Sequence, residues 1–197
     1  MNRERIKCIL EAALLAAADP LPLDRLLGLF DESDHIDAAL LRPLLVELAE
    51  NCQTRSYELK QVATGYRFQI KSEYSSWLVK LWDEKPAKYS RAVLETLALI
   101  AYRQPVTRAE IEDIRGVTGS SAIIKTLMDR EWIRVVGHKD VPGRPGLYAT
   151  TKLFLDYFNL KSLDELPTLA ELDFSSTEVS AVQMTLPEMT TEMNTHE

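Results

Sequence analysis

The chain has 197 residues, enough for one large domain or two small ones, and a hydrophobic fraction of 46% is sufficient to give each a core. A net charge of −7 argues against a free nucleic-acid binder, because such binding draws most of its affinity from Lys and Arg neutralising phosphates. Cys8 and Cys52 have neither a Cys-x-x-Cys spacing nor a neighbouring His, and no apolar run approaches the roughly 20 residues of a membrane span, so disulfide scaffold, zinc site and membrane helix are all set aside. Both cysteines read as small apolar core residues. The charged start leads into a Glu-containing helix rather than an apolar signal core, and the expected location is the cytoplasm.

Ile6, Ile9, Leu10, Ala13, Leu14 and Ala17 recur at the spacing of one helix face, which Asp19-Pro20 stops. Leu23 to Phe30 is a short second apolar segment. A third stripe, Ile36, Leu40, Leu41, Leu44, Leu45 and Leu48, predicts a helix from Asp37 to about Asn51, with Pro43 awkwardly beyond its first turn. The leucines at 14, 41 and 45 are assigned to core rather than to an interface. The period then changes to two. Tyr57 and Leu59 precede a turn at Ala63, Thr64 and Gly65, and Tyr66, Phe68 and Ile70 alternate with Arg67 and Gln69, which predicts a β-hairpin. Three helices and a hairpin are the plan of a winged helix. Trp77, Leu78, Leu81 and Trp82 predict one more amphipathic helix, and Asp83 to Lys88, with Pro86, reads as a boundary.

The same order then recurs. Val93, Leu94, Leu97, Ala98, Ile100 and Ala101 lie on a helix stopped by Gln104-Pro105, and Thr107 with Glu110 forms a capping box that opens a short helix ending at Gly116. Ser120 or Ser121 caps a third helix bearing Ile123, Ile124, Leu127 and Met128. A strand from Trp132 to Val136, a Gly/Pro-rich loop from Gly137 to Gly146 and a returning strand from Leu147 to Thr150 make a second wing. Phe154, Leu155 and Phe158 lie on a closing helix, and Ser162 to Glu165 reads as a further capping box. The expected fold is therefore mainly α with small β-hairpin wings, in tandem winged-helix domains at 1–84 and 85–167. Residues 168–197 hold six acidic side chains and no Lys or Arg, leaving 24 acidic against 23 basic before them, and are expected to be an acidic disordered tail.

The second unit carries a specific resemblance. The run ETLALIAYRQPVTRAEI from Glu95 to Ile111, then Ile114 to Val117, Lys139 to Pro145, Leu147-Tyr148, Thr150-Thr151, Phe154-Leu155 and Leu160 to Pro167, resembles the signature of the segregation and condensation protein B family. The match is almost continuous from Arg91 to Pro167. Before Glu84 it rests on element order and on Gly65-Tyr66-Arg67. The chain departs from the family pattern at His138, commonly Arg, at Gly146, commonly larger, and at Asn159, frequently Gly.

This resemblance implies a non-catalytic accessory subunit that dimerises chiefly through its first domain. It would bind a kleisin subunit, segregation and condensation protein A, and through it an SMC ATPase, with a role in chromosome condensation and partition at the nucleoid. DNA contact would be indirect or weak, and no cofactor or metal is implied. The seven glycines are scattered and form no phosphate loop, so ATP chemistry would belong to the SMC partner. Candidate partner-binding residues are Tyr102 and Arg103 at a helix end, Lys139, Asp140 and Arg144 in the second wing, and Tyr148 on its returning strand. Each has an alternative reading: packing for Tyr102, helix-dipole compensation for Arg103, an internal salt bridge for Arg144, and turn shape for Pro142, Gly143 and Pro145. Two rivals remain, a dimeric winged-helix transcriptional regulator and an enzyme with an unrecognised site. The third helices speak against the regulator. Arg42 stands among Asp37, Glu47 and Glu50 in one, and Lys125 and Arg130 face Asp129 and Glu131 in the other. His35, His138 and His196 are too dispersed for a catalytic group and read as solvated.

Overall fold

The computed structural model of the chain describes residues 1–81 and 89–168. The expected boundary at 83–88, Trp82 and nearly all of the acidic segment lie outside them.

The first unit opens with α1 (Arg3–Ala16), which Asn2 caps by accepting the Glu4 N–H. Ile6, Leu10 and Leu14 of its stripe are buried. Cys8 falls on the other face and is exposed, so only Cys52 is the core thiol expected from composition. A cysteine's place follows from helical phase, and position 8 is out of phase with the buried stripe. Next come α2 (Leu23–Leu27) and α3 (Ala38–Asn51), the latter capped by the Asp37 carboxylate on the Leu40 N–H at 2.8 Å. Pro43 lies inside α3, while Leu41, Leu44, Leu45 and Leu48 are all buried: packing of the stripe outweighs one missing backbone donor.

The first wing pairs β1 (Tyr57–Val62) with β2 (Gly65–Ile70) in antiparallel register, Val62 opposite Gly65. Leu21 exchanges both backbone hydrogen bonds with Tyr66, at 2.8 and 2.9 Å, fastening the wing to the segment before α2. Gly65 permits that approach, because a Cβ there would overlap the Leu21 carbonyl. Beyond the wing, the expected amphipathic helix is a single turn, α4 (Ser75–Leu78), continued as a 3₁₀ turn to Leu81. Trp77 and Leu81 remain 64% and 72% exposed, so the described residues do not cover the apolar face read there.

The second unit has its own core around Leu97, Ile100, Ile111, Leu127, Trp132 and Phe154. It runs α5 (Arg91–Arg103), β3 (Val106–Thr107), α6 (Arg108–Arg115), α7 (Ser121–Asp129), β4 (Ile133–His138), β5 (Gly146–Thr150) and α8 (Lys152–Tyr157). The wing is three-stranded, in the order β3-β5-β4, and β3 is the strand that sequence pattern missed. Two residues are too few to show a period, and they become a strand only by pairing Val106 with Tyr148 and Thr107 with Leu147. Trp132 precedes β4 rather than belonging to it. It is buried, with its ring 4.5 Å from Tyr157 and 5.5 Å from Phe158, which draws α8 onto the core.

Two local expectations differ in detail. Ser120 caps α7 in position but makes no side-chain hydrogen bond. At Ser162 the hydroxyl accepts the Asp164 N–H, while the Glu165 carboxylate takes the N–H of Lys161 rather than that of Ser162, so the reciprocal box is replaced by a 3₁₀ turn over Leu163–Glu165. The tandem winged-helix architecture itself is as expected.

Candidate partner-binding surface

Thr107 ends β3 and caps α6, and this double position organises the second wing. Its N–H and its hydroxyl both donate to Glu110 Oε2 at 2.8 Å, and its hydroxyl accepts the Glu110 N–H, the capping box in full. The other carboxylate oxygen, Glu110 Oε1, accepts from Lys139 Nζ at 2.6 Å. The Lys139 ammonium and the Thr107 donors together hold the Glu110 carboxyl down to about 2. Lys139 therefore anchors the base of the wing to α6.

The wing tip is a turn closed by the Arg144 N–H on the Val141 carbonyl at 2.9 Å, with Pro142 second and Gly143, at φ 85°, third. Pro142 and Gly143 thus do the turn-forming work that their residue types suggest. Arg144 also takes a positive φ, 38°, and its guanidinium is exposed without a hydrogen bond or ion pair among the described residues, so the internal salt bridge weighed for it does not form among them. Asp140 is exposed beside it.

Tyr102, near the end of α5, is half-buried and donates its hydroxyl to the Pro167 carbonyl at 2.6 Å, tying the last described residues back to the helix. Arg103 is exposed in the last turn, where a cation complements the helix dipole. Tyr148 sits in β5 between Val106 and Val135 and packs against the core. It also lines a shallow groove of about 250 Å³ along α7, with Arg108, Ser121, Ile124, Lys125, Met128 and Asp129. No hydrogen bond or ion pair joins any two of the six expected residues. They form a dispersed surface and not a constellation.

Sequence pattern missed the other wall of that groove. Met128 was assigned to the core stripe of α7 but is 40% exposed, and Arg108 donates to Ser121 Oγ at 2.9 Å across it. The sequence sets Arg130 against Asp129 and Glu131. Its guanidinium instead stacks 4.7 Å over the Tyr89 ring and 5.7 Å from that of Trp132.

Residues 8–169 match the family model described as segregation and condensation complex subunit ScpB. The segregation and condensation protein B homolog of Coxiella burnetii is 57% identical over 172 residues, covering 87% of this chain and 82% of that protein. Its counterpart in Syntrophotalea carbinolica is 44% identical over 173 residues, covering 87% and 85%. The chain belongs to the ScpB family. That membership makes it a segregation and condensation subunit, working in chromosome partition with a condensin-like SMC complex. Among solved structures, ScpB from Mycobacterium tuberculosis is similar at 32% identity, over 81% of this ScpB-family chain and 98% of that one, with a TM-score of 0.38. The family match runs from residue 8 to residue 169 and so takes in both winged helices. Among the described residues no helix is long and apolar enough to cross a membrane.

Proposed function

We propose that this chain is a non-catalytic accessory subunit that binds the kleisin as a homodimer and through it reaches the SMC ATPase, in the cytoplasm at the nucleoid. The observation that carries the reading is how the basic groups of the second unit are used. A winged helix that reads a duplex presents its third helix and wing to phosphates and bases. Here α7 itself holds one basic residue, Lys125, while Arg130 is stacked on aromatic rings and Lys139 is paired with Glu110. Lys125 on α7 and Arg134 and Arg144 on the wing remain for phosphate, too few for a strong counterion-release term. A groove with an aromatic wall, an exposed methionine and two cations against one carboxylate, Asp129, suits a protein segment carrying apolar and acidic side chains better.

Dimerisation is supported by apolar side chains left open on the first unit: Leu15, Val46, Ile70, Trp77 and Leu81 are all more than half exposed. The full chain is expected to co-purify with a kleisin and to leave duplex DNA unshifted at physiological salt. Duplex binding by the chain alone, without kleisin capture, would reverse the assignment in favour of a regulator.

A further inference from the structure

The first wing ends in an unusual environment. Val62, the last paired residue before the two-residue tip, is 3% exposed yet belongs to neither unit's core cluster. A hairpin tip standing free in water would leave it open. On the other unit Asp156, in the last turn of α8, is 6% exposed, and a carboxylate so buried requires donors. Both donors to its side chain come from the first wing: the Thr64 N–H reaches Oδ1 at 3.0 Å and the Thr64 hydroxyl reaches Oδ2 at 2.6 Å. Arg67 on β2 adds a second grip. Its Nη2 donates to the Asp156 carbonyl at 2.9 Å and to Asn159 Oδ1 at 2.7 Å. Asn159 holds the acceptor in place by adopting φ 59°, a conformation Asn tolerates better than most residues.

We propose that the first wing is a clamp: Thr64 and Arg67 grip the C-terminal end of α8 at Asp156 and Asn159, and this grip sets the angle between the two winged helices. The contacts join residues about 90 positions apart and bypass the connecting segment at 82–88 entirely. They are charge-assisted and largely shielded from water, the class of hydrogen bond with the largest individual effect. Arg67 Nε is buried without a partner among the described residues, so the guanidinium is held there by its Nη2 bonds. A wing that in a DNA reader would lie along the duplex is here occupied by its own chain. The clamp rests on these contacts and not on the kleisin assignment.

Residual dipolar couplings on the full chain test it, because two bodies held at one angle share one alignment tensor and independently moving bodies do not. In the wild type, amides of residues 1–81 and 89–168 are expected to fit a single tensor. Asp156→Ala and Arg67→Ala should each lose the common tensor while the chemical shifts of both cores stay native. Asp156→Asn, which keeps an acceptor for the Thr64 N–H, should largely retain it. The two alanine variants lie on different units, so a folding defect in one cannot imitate the shared outcome. If Asp156→Ala unfolds its own unit, Arg67→Ala and Thr64→Ala on the other decide. Separate tensors in the wild type, or a common tensor that survives in folded Arg67→Ala and Thr64→Ala, would overturn the clamp.

Discussion

Arg144 and Tyr102 differ in how far their side chains are already committed within the chain. Arg144 is exposed at the wing tip and its side chain bonds to none of the described residues, whereas the Tyr102 hydroxyl is committed to the Pro167 carbonyl. Arg144→Ala is therefore expected to leave the melting temperature unchanged and to weaken kleisin binding by about 2 kcal/mol, roughly thirty-fold, if it sits at the interface centre. Tyr102→Phe should instead lower stability by about 1 kcal/mol, the net value of one hydrogen bond, with affinity preserved. Calorimetric titration beside thermal melts reads both. Glu110 supplies a pH dependence. Its carboxyl lies at about 2 against an ordinary 4.5, so the stabilisation is complete above the ordinary value and lost as pH falls toward 2. Glu110→Gln should be less stable than the wild type at pH 7, with the gap closing between pH 4.5 and 2. The pair is partly exposed and screened, so the gap is small. Urea midpoints across that range measure it, and a gap that is constant with pH would remove Lys139 from the account.

At the scale of elements, the helices were legible because their buried leucines repeat at the helical period, and α3 tolerated its proline for the same reason. Wings were legible as alternation plus turn residues, but what anchors each wing was not. The first is fastened by the Leu21 and Tyr66 backbones, which meet only because Gly65 has no side chain. Gly65→Ala should cost about 1–3 kcal/mol, the range for forcing atoms into a filled space, since the obstacle is backbone that cannot rotate away. Denaturant unfolding checks this, and a neutral effect would mean that the strand slides to relieve the overlap. The second wing is anchored by β3, two residues long and defined wholly by its pairing with β5.

At the scale of the whole molecule, the described apolar side chains that are more than half exposed lie on the first unit except for Ile114, and the second unit buries a core of its own. The full chain is expected to scatter light at twice its 22.4 kDa mass at micromolar concentration, and a chain beginning at Ser90 to scatter as a monomer. A dimer from the shorter chain would move the interface to the second unit. Because the first wing also grips α8, the angle at which a dimer offers its two kleisin-binding surfaces would be set by the clamp and not by the connecting segment.

Sequence by itself determined the three-helix-and-wing order twice over, the capping box at Thr107 and Glu110, the stop at Gly116 and the resemblance that the family match bears out. All of these are local or periodic, with partners within about one helical turn or on one face, so residue order contains the contact. Tertiary structure alone decided that Cys8 faces water, that Arg130 lies on aromatic rings, that Lys139 pairs with Glu110, and that Asp156 receives Thr64 while Arg67 reaches its carbonyl. Gly65-Tyr66-Arg67 and the departure at Asn159 were visible as isolated signals, but nothing in either segment names the other. Apart from Arg130 and Trp132, the partners in these contacts stand 29 to 92 residues apart and leave no period in the chain, so they form only when packed elements bring them together.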